Sequence, residues 1–366
     1  MILYGTRGNY KDVTSLARKH LLRNDCICIP PTDHQRARVF GDPVPGVLKH
    51  VKVIFPLKQT STYPSGTPAR IAKDYDRIIR SFQEYYLSVV AVTQSEARFL
   101  REWLEFHLEV GVEHFYIYDN RSPDNTHEVL LPYIERGLVT YKTWKGTNPL
   151  VYGARQAGYQ AAKKTSQWVA MIDTDEFITP AKVSRVPYLL RKYEGYGALA
   201  MNWQMFGTSG VNKVPADKLM LECLTKSNHP TDTVPCEWVP GQKLVVNYTI
   251  KVIVNSKYAT RVSGAHRAIY TKGAYLVNSK GQELPNKATV PICIDDIQLN
   301  HYFFRDRKFL REVKLERRNR WLTGHYDNAE LETMAYYNKY DKAYSMFTNL
   351  SAQRFVPAVR KRMGLT

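Results

Sequence analysis

No run of 18 apolar residues occurs in the 366-residue sequence, so no helix of membrane-spanning length is expected. The start shows no basic segment followed by an apolar stretch and a small-residue cleavage site, and a secretory leader is not expected either. Cysteine is scarce: Cys26, Cys28, Cys223, Cys236 and Cys293 are odd in number, scattered and without paired knuckle spacing. That excludes a disulfide framework and a zinc knuckle, and it fits free thiols in a reducing compartment. Internal repeats and low-complexity tracts are absent, which excludes a solenoid or a disordered tail. Acids are also in short supply, 34 against 52 Lys and Arg, and the resulting formal charge of +18 favours anionic partners.

What remains is a globular composition, 44% apolar and 12% aromatic, sufficient for one large core or two smaller ones. "PLKQTSTYPSGTPAR" near residues 56–75 gathers linker chemistry. It sets off a small N-terminal module, residues 1–80, with a helix opening near Asp12 and brief strands. That module holds few apolar residues for a core of its own and is expected to pack on the domain after it. Residues 81–325 form the expected main domain and 326–366 a helical extension rich in tyrosine.

From residue 86 the pattern alternates. "YYLSVVAV" reads as a buried strand; Thr93 and Glu96 have capping-box spacing for a helix closed by Gly111; "HFYIY" is a second strand ending at Asp119 and Asn120. A helix to Arg136, a third strand "LVTYKTW", a helix over Tyr152–Lys164 and a fourth strand "WVAMI" come next. Four strand and helix alternations predict a parallel sheet with helices on both faces, which binds ligands beyond the carboxyl ends of its strands.

The fourth strand runs straight into Asp173, Asp175 and Glu176 and back to apolar Phe177 and Ile178. Burying unpaired carboxylates costs several kcal/mol, so a cation is expected there. Two acids spaced by one residue at a strand end suit a hard divalent ion, Mn²⁺ or Mg²⁺, that completes its shell with substrate phosphate. The structural alternative is a cap for a helix after Thr179 and Pro180.

"FLREWLEFHLEVGVEHFYIYDNRS", "MIDTDEFI", "NWQMFGTSG" and "LNHYFFRDRKFLREVK" together resemble glycosyltransferase family 92, the group that includes plant galactan synthases, over about residues 86–320. The resemblance implies a GT-A fold, a mixed α/β sheet of the nucleotide-diphospho-sugar transferase type. It also implies inverting transfer of a hexose or pentose, galactose favoured, from a UDP-sugar to a glycan or glycoconjugate, and a D-x-D motif holding Mn²⁺. By that resemblance His301 joins Asp173 and Asp175 as metal ligand, with His266 as the substitute. Val92, Glu96, Asp119, Asn120, Arg155, Thr174 and Lys251 are the expected contacts to the nucleotide. For several of them a bland role competes: turn formation for Asp119 and Asn120, a surface pair for Arg155.

Trp203 or Phe206 can floor a sugar ring, with core packing as the alternative. Inverting transfer needs a carboxylate base; Glu222 is chosen over Glu237. Residues 305–320 hold eight Lys or Arg against three acids, readable as a solvated helix face, a diphosphate lid or a patch for an anionic membrane, the last slightly favoured. No zinc-finger, RRM or helix-turn-helix signature appears, so nucleic acid is not an expected partner, although a nucleic-acid-binding or non-catalytic carbohydrate-binding protein is the competing class. A nucleotidyltransferase is disfavoured, since its N-terminal Gly-rich loop and Lys are missing. The expected location is cytoplasmic, with peripheral membrane contact.

Overall fold

The computed structural model describes residues 2–365 apart from 7–8, 24–25, 31, 44, 46, 48, 55–59, 64–68, 73–77, 80–83, 146–149, 236–242 and 324–331. It divides into two compact units, one of residues 1–86 with 164–167 and one of 87–163 with 168–366.

In the smaller unit, one four-stranded sheet has the order Asn9–Asp12, Ile2–Thr6, His50–Ile54, Thr60–Tyr63, and a second the order Leu22–Arg23, Cys26–Ile29, Ala69–Ala72, Ile78–Ile79. The helix Thr14–Leu21 opens on Asp12, whose Oδ1 accepts the Thr14 N–H at 2.9 Å. Ile2, Tyr4, Val13, Ala17, Ile27, Ile29, Phe40 and Val51 form a core within this unit. The module therefore carries its own core, contrary to the expectation from its sparse apolar content: alternation along short strands concentrates its few apolar side chains on one face.

The larger unit is built on a mixed sheet ordered Val139–Thr143, His114–Asp119, Tyr85–Thr93, Ser166–Met171, Ile250–Asn255, Ala198–Met205, Leu276–Val277, Glu283–Leu284. The first three strands are parallel, as their intervening helices Ala97–Glu109 and Thr126–Glu135 require. The parallel pattern read from the strand and helix alternation ends at Ser166–Met171, and the sheet is mixed beyond it: Ile250–Asn255 pairs antiparallel with both its neighbours. That part of the chain returns without the helix and strand alternation that a parallel crossover needs. A further strand, Glu176–Pro180, runs antiparallel to Ile297–His301, which lies parallel to the end of Ala198–Met205. The result is a mixed sheet flanked by helices.

The C-terminal residues belong to this same unit. Tyr337, Tyr340 and Tyr344 of helix Met334–Ala343 and its end pack with Phe304 and Leu310. Helix Val356–Met363 is tied to helix Ala97–Glu109 by Arg362 and Glu105 at 2.8 Å. Among the described residues no helix is long and apolar enough to cross a membrane.

Candidate functional site

Strand Ser166–Met171 buries Trp168, Val169, Ala170 and Met171 fully, and the chain leaves it at Ile172 to make a tight link to strand Glu176–Pro180. The link is closed by the Glu176 N–H on the Asp173 carbonyl at 3.1 Å, and by the Tyr302 N–H on the Asp175 carbonyl at 2.9 Å. Residues 176–180 are a strand, so the acids cap no helix and the structural alternative for the motif falls away.

A cavity of about 460 Å³ opens over this link, at the carboxyl ends of the strands. Val92, Glu96, Asn120, Arg155, Thr174 and Lys251 line it together with Asp173, Asp175 and His301. Of the expected nucleotide contacts only Asp119 stays out. Its carboxylate is consumed locally, accepting from the Ser122 hydroxyl at 2.6 Å and the Tyr141 hydroxyl at 2.7 Å, so it makes the turn.

Charge pairing organises the cavity. Asp173 receives Arg155 on Oδ1 and Lys251 on Oδ2, the latter at 2.6 Å. Burial opposes its ionisation, yet these two cations outweigh it and hold its carboxyl below the ordinary range. Asp175 faces His301 Nε2 with Oδ1 at 3.5 Å and takes the Lys314 ammonium on Oδ2. Burial again works against its charge, and Lys314 and His301 drive its carboxyl well down. Glu176, fully buried, is pushed the other way by desolvation, with Lys251 opposing. Its oxygens accept the Asp173 N–H at 2.8 Å and the Trp203 indole N–H at 2.7 Å, which fixes the link and the indole together.

Glu96 was expected to cap helix Ala97–Glu109, but its side chain makes no cap bond. Two guanidiniums compete more strongly: Arg305 at 3.1 Å and Arg317 at 3.2 Å. The Ala97 N–H turns to Asp124 instead, at 3.1 Å. Arg305 is fully buried, adopts a left-handed φ of 57° and also donates to the Thr174 carbonyl, locking the D-x-D link to the strand end.

Arg155 reaches the cavity from helix Leu150–Ala162, which lies close on the sheet because Gly158 faces Val90 and Tyr118: a Cβ there meets Val90 at 2.5 Å. Trp203 lines the cavity beside His301, with ring centroids 4.5 Å apart, while Phe206 stacks on Tyr302 in the core and is no sugar platform. His266 also lines it, its Nδ1 on the Ile250 carbonyl at 2.6 Å; burial, then Lys251, pushes its imidazole down to about 3. Arg267 is exposed on its own strand and is not part of the lining.

Glu222, the expected base, is elsewhere. It accepts the Leu219 N–H at 2.7 Å and pairs with Arg360 at 2.8 Å, and it does not line the cavity. Glu237 lies outside the described residues. Sequence reasoning missed Arg305 and Lys314 as individual site residues; Arg317 and Arg318 of the same basic run line the cavity as well. The partners of Arg305, Lys314 and Arg317 stand far off in sequence, and the only local signal was the basic run itself.

The profile of glycosyltransferase family 92 matches residues 87–302, more than half of the chain and the whole of the region that builds the cavity floor. The chain belongs to glycosyltransferase family 92. A family 92 protein of Oryza sativa subsp. japonica is 31% identical over 160 residues, 43% of this chain and 27% of that protein. One from Ricinus communis is 27% identical over 177 residues, 45% of this chain and 31% of that protein. The alignments thus span less than a third of the length of these curated relatives. Among solved structures, Staphylococcus aureus TarS 1-349 in complex with UDP-GlcNAc is 13% identical with a TM-score of 0.32, covering 57% of this chain and 62% of that one. The mannosyltransferase PcManGT from Pyrobaculum calidifontis in complex with GDP-Man and Mn²⁺ is 19% identical with a TM-score of 0.25, covering 31% and 34%.

Among the described residues no group of three or more His, Cys, Asp or Glu is placed to hold a metal. Both oxygens of Asp173 are engaged with cations, but Asp175 Oδ1 and His301 Nε2 face each other at a separation that suits neighbouring ligands of one ion. Mg²⁺ is commonly held by one or two carboxylates with phosphate and water completing the shell, and here one carboxylate is joined by an imidazole. The residues fit, with Asp175 and His301 as the holding pair.

Proposed function

We propose that this family 92 chain is a metal-dependent inverting glycosyltransferase that moves a hexose or pentose, galactose favoured, from a UDP-sugar to a glycan or glycoconjugate acceptor. The observation that carries the reading is the polarity of the cavity over the D-x-D link. Glu96, Arg155, Asp173, Asp175, Lys251, His301 and Lys314 all line it. Ionisable groups of both signs converging on one concavity suit a polar, anionic ligand.

Each lining residue has a place in such a reaction. Mn²⁺ or Mg²⁺ held by Asp175 and His301 supplies charge stabilisation for the diphosphate leaving group. Arg155 and Lys251 hold Asp173 in position and add positive charge on the same side. Val92, Gln94 and Asn120, at the ends of the first two strands, border the space for the nucleoside. Trp203, held in one orientation by Glu176, presents a ring on which an apolar sugar face can stack. The mixed charge of the walls orients an anionic donor without repelling it.

The test is hydrolysis of a panel of UDP-sugars with and without Mn²⁺, because these transferases leak transfer to water when the acceptor is missing. Turnover of one UDP-sugar that disappears with EDTA supports the proposal. No turnover of any, together with no binding of UDP, contradicts it.

A further inference from the structure

The helix that roofs the cavity is not a uniform α-helix. Arg307–Phe309 is α, Leu310–Lys314 is a π turn, and Leu315–Thr323 is α again. One extra residue in a turn rotates everything after it by about 100° relative to a continuous α-helix. Up to the first residue of the π turn the inward residues are apolar: Phe309 meets Phe99 edge-on at 5.1 Å and Leu310 packs with Phe304. From its last residue onward they are basic, for Lys314, Arg317 and Arg318 all line the cavity, while Arg320 turns outward to an exposed pair with Glu316. The helix stands beyond the stretch matched by the family profile, which stops at residue 302.

Lys314 is the unusual member. It is 3% exposed, its ammonium lies 4.0 Å over the Phe303 ring, and it bonds Asp175 Oδ2. Burying an ammonium is costly, and a lone carboxylate repays that only when the remaining donors also find partners. An ammonium has three donors, and the second oxygen of the same carboxylate faces His301. An ion seated between Asp175 Oδ1 and His301 therefore lies within about 5 Å of Lys314 Nζ, since both are one bond from the same carboxylate. Phosphate oxygens bound to that ion fall within reach of the ammonium.

Resting on the UDP-sugar reading above, we infer that Lys314 is a donor-binding residue: presented by the π turn, it contacts the diphosphate directly, and the basic helix beyond the family profile completes the donor site with Arg317 and Arg318 beside it. The ligand class is a nucleoside diphosphate. Lys314 does not have to leave Asp175, because the ion and the ammonium use different oxygens of that carboxylate.

Titrating the full chain with UDP and with uridine, in Mn²⁺, tests this. The expected result is that Lys314→Met weakens UDP binding roughly ten-fold or more, the size of a lost charge-assisted hydrogen bond, and leaves uridine within about two-fold. Lys314→Arg is expected to retain most of the UDP affinity. Arg318→Gln, at the rim, guards against a folding failure in Lys314→Met and is expected to cost about three-fold for UDP and nothing for uridine. Wild-type binding of UDP that none of the three variants changes overturns the inference alone. An equal loss for UDP and uridine in Lys314→Met also overturns it, because the residue is then structural. A wild type that binds no UDP in Mn²⁺ overturns the donor reading on which the inference rests.

Discussion

The Trp203 indole N–H donates to Glu176 Oε1 at 2.7 Å, while Glu176 Oε2 accepts the backbone N–H of Asp173, so one buried carboxylate sets both the sugar-facing ring and the acidic link. Lys251 stands 3.5 Å from the same carboxylate. Glu176→Ala removes the acceptor for two buried N–H groups and leaves the ammonium of Lys251 with Asp173 alone. We expect a loss of about 3 kcal/mol or more in unfolding free energy, measured by urea denaturation. A loss under about 1 kcal/mol contradicts this account of the link.

Removing Asp175 is not neutral for the fold. Lys314 is buried on it, and Asp175→Ala leaves that charge without its partner. The variant is expected to lose about 3 kcal/mol of stability in the absence of metal. Asp175→Ala combined with Lys314→Met is expected to recover most of it, because both charges are gone. A double variant no more stable than the single one contradicts the pairing.

Glu222 gives a prediction of the opposite kind. It caps the start of the short helix Met220–Cys223 and pairs with a half-exposed Arg360, away from the cavity. Glu222→Gln is expected to cost about 1 kcal/mol of stability at most and to leave kcat within about two-fold in any turnover assay. A fall of a hundred-fold or more in kcat restores Glu222 as the base.

Distance along the chain decides what was legible in the sequence and what was hidden. The strand ending in Asp173 and Asp175 was readable because an apolar run that stops at acids is a local pattern. The parallel half of the sheet was readable for the same reason. The cap expected of Glu96 and the base expected of Glu222 were misread because their decisive partners, Arg305 and Arg360, stand 209 and 138 residues away; local spacing favoured a cap for Glu96, and Glu222 was chosen only by its place along the chain. Lys314 is 139 residues from Asp175, and its burial depends on a π turn with no sequence signature of its own. The antiparallel half of the sheet was hidden because its register is set between strands whose order in space departs from their order in the chain.

Acid should weaken the fold through His107. This imidazole is fully buried; Nε2 accepts the Ile178 N–H at 3.2 Å, which assigns the proton to Nδ1, bonded to the Trp103 carbonyl at 2.8 Å. Burial pushes it down to about 3, with the Trp103 carbonyl only partly opposing. Unfolded histidine takes a proton near pH 6.5, so between about 6.5 and 3 the unfolded state binds a proton that the folded state refuses. The stability that His107 contributes is whole above pH 6.5 and falls by about 1.4 kcal/mol per pH unit below it. Residues 1–86 and 164–167, the smaller unit, hold no tryptophan, so tryptophan fluorescence does not report on that unit. Other buried groups add to the wild-type slope, so the His107 share is read as a difference: between pH 6 and pH 5 the unfolding free energy measured in urea is expected to fall less in His107→Gln than in the wild type, by about 1.4 kcal/mol. An unchanged slope in the variant contradicts the assignment.

The central claim is that Asp175 and His301 seat a divalent ion that carries the donor diphosphate. Calorimetric titration of UDP into wild type, Asp175→Asn and His301→Ala, each in Mn²⁺ and in EDTA, tests it most directly. The account predicts wild-type binding that EDTA weakens by roughly ten-fold or more, and in both variants an affinity that no longer responds to Mn²⁺. UDP binding of equal strength with and without Mn²⁺ in the wild type, or a full Mn²⁺ response in either variant, contradicts it.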